Sequence, residues 1–502
     1  MAYETVSGYC WPQSIAPGGM VALHLSSAGA RVVDVEIARA GARREVVWHD
    51  SVPAEDHPVP AQAWTKGCDW PAAATVIAGG EWRSGYYEVV LTIDVNGKQR
   101  RDHAFFVLRP PADSPNRILL QLSTNTWHAY NDFGGLNLYT GATISSLQRP
   151  MSRGYLFKPP GAGRRVATVH PPDPDMNAHV GYLRQHKLSG YAGSAGWPSW
   201  ELPFVEWAER EGFEFDMCLN ADLEDDPSIV DGYSLVLSVG HDEYWSGPMR
   251  DTVEGFIARG GNVAFLSGNT SFWQVRMEDR DEHGVATRMV GYKGQFKDDP
   301  VYGTDRQSEL TSIWSDHLIG RPENHMTGVS FTRGGYHRIG KRLTNGAGGY
   351  TVHRPEHWIF DGTGIGYGDV LGAAATIVGY ECDGCDFTYR DGLPFPTLSD
   401  GTPSTFEILG TAPAAPFTRT TSARPPKPNE PAEDEFVAGR LFGTRDPEAV
   451  AKVQHGHAVL GSYTSPAGGT VITSGCTDWA HGLAERDPNV EQITRNILTR
   501  LG

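Results

Sequence analysis

The sequence predicts a mixed α/β chain, with an all-β N-terminal sandwich of immunoglobulin-like type followed by an open parallel α/β sheet domain. Three observations predict it. Short β-prone runs broken by Gly/Pro turns fill the first part of the chain. Apolar runs without alternation, as strands buried on both faces require, begin at Ile118. A strand–helix–strand unit with short links spans Tyr233 to Leu266, which is a parallel crossover. With 502 residues the chain exceeds one ordinary core, so the expected domains are 1–112 and 113–502.

In the N-terminal part, Val21–Leu25, Val32–Ile37 and Tyr86–Ile93 read as strands, and Pro17-Gly18-Gly19 as a turn. The run His103–Leu108 ends at Arg109-Pro110-Pro111. A structural or substrate-shaping role is expected for this sandwich. Ile118–Leu122 is the first buried strand of the α/β part. Pro203–Gly212 reads as a helix with Phe204, Val205, Trp207 and Ala208 on one face and Gly212 at its C-cap. Tyr233–Val239 is the next strand. A helix with Val253, Phe256 and Ile257 as its stripe follows, and Asn262–Leu266 is a strand closed by Ser267-Gly268-Asn269. The sheet is placed between residues 115 and 410, with long insertions. The Pro- and Thr-rich stretch 411–436 reads as a linker or long loop. Val459–Tyr463 and Gly469–Ser474 look like strands of the same sheet, and Pro488–Leu501 like a closing helix.

Composition narrows the function. A net charge of -17 repels phosphate backbones, so no nucleic-acid partner is expected. The 59 Gly and 34 Pro argue against a helical bundle. Six Cys are too sparse for a disulfide scaffold. Met1–Ser7 lacks the pattern of a signal peptide, and no run approaches a membrane span. The expectation is a cytoplasmic, reduced protein with no membrane contact.

The strongest chemical signal is Gly240-His241-Asp242-Glu243-Tyr244-Trp245-Ser246, between a buried strand and a helix. Ligands of open α/β sheets bind beyond the carboxyl ends of the strands, so polar groups here face a crevice. The bland alternative is that Asp242 and Glu243 cap the helix while Tyr244 and Trp245 pack beneath it. No Cys lies in this turn and Ser246 is not framed as Gly-x-Ser-x-Gly, which excludes a thiolate or a serine elbow there. Imidazole, carboxylate and phenol remain, and they suit proton transfer or metal-assisted chemistry. A second signal, Thr126-Trp127-His128-Ala129-Tyr130-Asn131, follows the first α/β strand and either shapes a polar pocket or packs as a satisfied loop. A third, Arg321-Pro322-Glu323-Asn324-His325, either binds a metal or pairs with an Arg. The single Cys-x-x-Cys at Cys382 and Cys385 has no second pair at zinc-site spacing. Cys476 follows a strand and is either a nucleophile or core filler.

These motifs, together with Gly134-Gly135, Gly260-Gly261-Asn262 and Ser474-Gly475 with Thr477-Asp478-Trp479, resemble the C-terminal part of the N,N-dimethylformamidase large subunit family over residues 115–500. The resemblance implies a glutamine-amidotransferase-like α/β core behind a β-rich N-terminal domain. It also implies an amidohydrolase that cleaves the C–N bond of a small amide such as N,N-dimethylformamide. That family holds a mononuclear iron, Fe(III), on two tyrosines and a glutamate. Carried over, the metal ligands are Tyr244 and Glu323. His241, Glu243 and Asn324 are the expected catalytic groups, and Trp127, His128, Tyr130, Asn131 and Trp245 the expected pocket walls. The position of the other tyrosine is Leu202, which cannot ligate iron, so the third protein ligand is unknown, with His241 and Tyr191 as alternatives. A homo-oligomer is expected, with or without a small subunit. A non-catalytic or carbohydrate-related binding protein on the same fold is the alternative that Leu202 favours, and a thiol hydrolase using Cys476 is a third.

Overall fold

The computed structural model describes residues 6–166, 177–339, 344, 346–422 and 426–502. The chain is mixed α/β and built from several sheets. Near the N-terminus, Val6–Trp11, Met20–Ser27 and Ala72–Ile77 form one antiparallel sheet. A second sheet has the order Ser14–Ile15, Lys98–Leu108, Gly85–Val95, Val32–Arg39, Glu45–Pro53. Burial alternates along Met20–Ser27 and Gly85–Val95, as for strands with one face inward. Val21, Leu23 and Leu25 of the first sheet share a core with Val35, Ile37, Val89, Leu91 and Phe106 of the second. The other face of the second sheet joins the large core of the α/β part, where Tyr86 stacks on Trp197 at 4.1 Å.

The main sheet has nine strands. Five run parallel in the order Asp216–Leu219, Ile118–Leu122, Leu235–His241, Asn262–Gly268, Thr470–Thr473. Four antiparallel strands extend it: Gly456–Thr464, Glu407–Ala414, Tyr350–Val352 and Val370–Leu371. Leu235, Leu237 and Val239 pack on one face with Phe204, Val205 and Ile493. Val236 packs on the other with Met249, Val253 and Phe256. Burial on both faces is why these strands read as mainly apolar runs without alternation. In chain order the parallel strands stand 2-1-3-4-5. The direction of winding therefore reverses between Ile118–Leu122 and Leu235–His241, and sheets of this kind bind ligands beyond the carboxyl ends of such a pair.

The helices follow the sequence closely: Glu201–Arg210, Gly247–Ala258 and Pro488–Leu501. The stretch 411–436 is narrower as a connection than expected. Its first residues complete the strand Glu407–Ala414 and its last begin the helix Glu433–Phe442. A small sheet has the order Ile144–Ser146, Ala286–Val290, Trp273–Arg280, Tyr244–Ser246, its last strand following directly on the turn after His241. Among the described residues no helix is long and apolar enough to cross a membrane.

Candidate active site

The strand Leu235–His241 ends in a sharp turn. Gly240 has φ 84°, and a Cβ there would lie 2.5 Å from that of Trp200, so only glycine fits. Asp242 is tied back to the sheet, accepting from Ser238 Oγ at 2.7 Å and from the Gln121 amide. The turn does not cap the helix through Asp242 or Glu243. Ser246 does that, accepting from the Met249 N–H at 3.3 Å. Glu243 is thereby free for side-chain contacts of its own, and its N–H donates to Thr126 Oγ1 at 2.9 Å.

There three buried side chains meet. His241 Nε2 lies 2.6 Å from Glu381 and 3.3 Å from Glu243. Donor atoms of His241, Glu243 and Glu381 all fall within 4.8 Å of one another. Glu381 arrives from the strand Glu381–Gly384, which pairs with Ser330–Tyr336. It comes close because Gly268 has no side chain: a Cβ there would be 2.6 Å from the Glu381 carbonyl oxygen. His241 Nδ1 is 2.6 Å from the Ser194 carbonyl, so Nδ1 carries the hydrogen and Nε2 faces the carboxylates. Asn269 Nδ2 donates to Glu381 at 2.9 Å.

A second layer holds Glu243. Trp273 Nε1 donates to it at 2.7 Å, and the Tyr139 hydroxyl lies 2.7 and 2.8 Å from its two oxygens. Tyr244 donates to Tyr139 at 2.9 Å and accepts from Lys293 Nζ at 2.8 Å. Lys293 Nζ also sits 3.2 Å from the centre of the Tyr139 ring. Tyr130 stacks on Tyr139 at 4.2 Å. Tyr139 exposes 40% of its surface while its hydroxyl points inward, so its ring forms the outer wall.

Charge in this enclosure is set by burial against pairing. Burial disfavours the His241 cation, yet the Glu381 and Glu243 carboxylates overcome it and hold the imidazole well above its ordinary value. Burial pushes Glu243 up, but His241, Lys293 and Tyr139 more than offset this and keep it ionised. Lys293 is pushed down to about 7 by burial, against the pull of Glu243 and Glu381. Burial, and then the Glu243 charge, pushes the Tyr244 and Tyr139 phenols well above their usual range.

Of the residues expected from sequence, His241, Glu243, Tyr244 and Tyr130 meet here. The others have partners elsewhere. Trp127 donates to Glu201 at 3.1 Å. His128 pairs with Gln13 at 2.8 Å and is pushed down to about 3, by burial and then by Arg149. Asn131 donates to the Pro150 carbonyl, and Trp245 to that of Asp242. Asn324 donates to Thr402 at 3.2 Å. Glu323 accepts from Ser315 and, at 2.9 Å, from Ser330, and it is not in the converging group. Tyr244 and Glu323 thus share no hydrogen-bond partner, and Lys293 already occupies the Tyr244 oxygen. Leu202 lines a cavity of about 730 Å³ against the N-terminal sheet. Cys476 is fully buried, 3.8 Å from Cys382.

Sequence reasoning missed Glu381, Tyr139, Lys293, Trp273 and Asn269. Asn269 follows a strand end, so the crevice rule could have flagged it. Glu381 directly precedes the first Cys of the Cys-x-x-Cys pair, where the thiols drew the attention.

A buried imidazole–carboxylate group at the reversal point of a doubly wound sheet has the chemistry for proton transfer or metal binding. The chain belongs to the family described as N,N-dimethylformamidase beta subunit-like, C-terminal, which matches residues 34–492. It is 26% identical over 335 residues to the N,N-dimethylformamidase beta subunit of Paracoccus aminophilus, and 25% identical to that of an Alcaligenes species. Each alignment covers 60% of this chain and 37% of the relative, so the chain matches well under half the length of these relatives. A solved family 123 glycoside hydrolase from Clostridium perfringens aligns over 24% of this chain and 27% of its own, with 6% identity and a TM-score of 0.10, a likeness too slight to bear on the fold.

Proposed function

We propose that the chain hydrolyses the C–N bond of a small amide, N,N-dimethylformamide being the first substrate to try, in the crevice walled by Tyr139. The observation that carries this is the convergence of His241, Glu243 and Glu381 at the switch point, in a chain of this family. The Glu243–His241–Glu381 group would take a proton from water and return one to the leaving amine. The Tyr139, Tyr244 and Lys293 donors would stabilise charge growing on the carbonyl oxygen. An immunoglobulin-like N-terminal domain, a glutamine-amidotransferase-like core with the boundary at 112, and assembly with copies of itself or a small subunit belong to the same reading. The iron expected by resemblance remains part of it as a metal requirement. Tyr244 and Glu323 as its ligands have little support, since their oxygens serve separate networks.

The test is amine release from purified protein offered N,N-dimethylformamide and a panel of small amides. Release that disappears in Glu243→Gln supports the proposal. Absence of release across the panel defeats it. A binding protein without catalysis is the second reading, favoured by Leu202 facing the 730 Å³ cavity rather than the His241 group.

A further inference from the structure

We infer that Cys382 and Cys476 form an oxidative modification site, where a small hydroperoxide joins the two sulfurs in a reversible disulfide and the new bond shifts Glu381 against His241. The disulfide stands apart from the amidohydrolase reading, and only its effect on amide cleavage rests on that reading.

Backbone hydrogen bonds place the pair. Cys382 lies on the strand Glu381–Gly384, and Cys476 follows the strand Thr470–Thr473. The two face each other across an antiparallel bridge. The Asp383 N–H donates to the Gly475 carbonyl at 2.9 Å, and the Thr477 N–H donates to the Glu381 carbonyl at 3.1 Å. These bonds flank the cysteines and pass them by, which makes them a non-hydrogen-bonded pair. Such pairs bring side chains closest, with Cα atoms about 4.5 Å apart. Disulfides span Cα separations of about 4.4–6.8 Å, so the backbone already stands within reach of the bond. The two segments meet because Gly475, at φ 58°, has no side chain. A Cβ there would lie 2.8 Å from the Asp383 carbonyl oxygen.

The two sulfurs are 3.8 Å apart and fully buried. Cys382 donates its S–H to Cys476 Sγ, and the Gly379 N–H donates to the same sulfur at 3.3 Å. An N–H aimed at sulfur stabilises negative charge there, which makes Cys476 the attacking sulfur and Cys382 the resolving one. Cys385, the other half of the Cys-x-x-Cys pair, packs in the opposite core with Phe406 and Ile408 and stays out of the reaction. Burial bars bulky reagents, so the oxidant is a small one that enters by local opening. Cys476 sulfur attacks one oxygen of the peroxide, the O–O bond breaks, and a sulfenic acid forms as the thiol proton leaves in water. Cys382 sulfur then attacks the sulfenic sulfur. The S–O bond breaks, and hydroxide takes the Cys382 proton as a second water. The two thiols lose two electrons and the peroxide gains them.

Forming the bond draws the sulfurs together by well over an ångström. Glu381 adjoins Cys382, and its carbonyl is tied to Thr477, so it moves with the bridge. His241 is held separately by the Ser194 carbonyl. The 2.6 Å contact between Glu381 and His241 therefore changes. A misplacement of about 1 Å costs on the order of 100-fold in rate.

The test treats the full reduced chain with hydrogen peroxide, quenches it, unfolds it in an alkylating agent and maps the peptides by mass spectrometry. The peptides of Cys382 and Cys476 are expected to be joined, with Cys10, Cys68, Cys218 and Cys385 recovered as alkylated thiols. Dithiothreitol is expected to reverse the link. Amine release is expected to fall roughly tenfold or more in the oxidised chain and to recover on reduction. Cys476→Ala and Cys382→Ala are expected to keep their activity in peroxide, and Cys385→Ala to respond as wild type does. Cys476→Ser replaces an alanine variant that fails to fold, and the wild-type peptide map needs no variant. Thiols recovered at both positions after peroxide overturn the inference, as does a link from either one to a different cysteine. A closed disulfide with amine release within about twofold of the reduced chain overturns the shift of Glu381. Equal loss in Cys476→Ala does the same. A chain that closes the bond and cleaves no amide in either state leaves the modification site standing and ends the amidohydrolase reading. A chain that cleaves amides and never closes the bond does the reverse.

Discussion

Replacing Tyr139 by Phe removes one oxygen from the centre of the site and nothing else. That oxygen lies 2.7 and 2.8 Å from the two oxygens of ionised Glu243 and accepts from Tyr244 at 2.9 Å. The ring keeps its stack on Tyr130 at 4.2 Å, and its outer face is already in water. The fold therefore has little reason to change, while Glu243 loses a donor and Tyr244 loses its acceptor. A hydrogen bond to a charged group is worth about 1.5–3 kcal/mol net. If the phenol also serves the transition state, that energy corresponds to a fall in kcat/KM of roughly 10- to 150-fold. The assay is amine release from a small amide at several concentrations, with far-UV circular dichroism to confirm folding. A folded variant within about twofold of wild type would refute the placement of Tyr139 in the site, whatever its hydrogen bonds.

Three more expectations follow from single positions. Gly240→Ala places a side chain at φ 84° and 2.5 Å from Trp200 Cβ, so it should cost about 2–5 kcal/mol in urea unfolding, and an unchanged midpoint would contradict the turn geometry. Glu323 is pushed up to about 7 by burial, only partly offset by Ser315 and Ser330. Between its ordinary value and about 7 the folded chain holds a proton that the unfolded chain has lost, so stability falls as pH rises through that window, by about 3 kcal/mol in all. Glu323→Gln should flatten this part of the stability–pH curve, and the same slope in the variant would show that Glu323 is not its source. Cys476, fully buried beside Cys382, should resist iodoacetamide in the native state; rapid labelling with loss of amide cleavage would revive the thiol mechanism.

The parallel half of the main sheet was readable because burial on both faces leaves a local mark. Ile118–Leu120, Leu235–Leu237 and Val263–Leu266 are unbroken apolar runs, and polar Gln121, Ser238 and Ser267 appear only toward the carboxyl ends of the strands. The antiparallel extension was less readable. Tyr350–Val352 and Val370–Leu371 are three and two residues long, too short for a period to show; the first is a strand because it pairs with Glu407–Ala414, and the second because it pairs with the first. The same distinction separates what was read of the site from what was missed. His241 and Glu243 stand at the end of a recognisable strand, and the rule that crevices open at such ends applies from sequence alone. Glu381 has no such frame. It follows no main-sheet strand and enters the site because Gly268 leaves room for its backbone. Tyr139 comes from a turn before Ile144–Ser146, and Lys293 from the start of a short 3-10 helix after Ala286–Val290. Resemblance transfers residue types along aligned motifs, and it led to Glu323, whose carboxylate is held by two serines. The packing of glycines and short strands then decides which carboxylate meets His241, and here it selects Glu381.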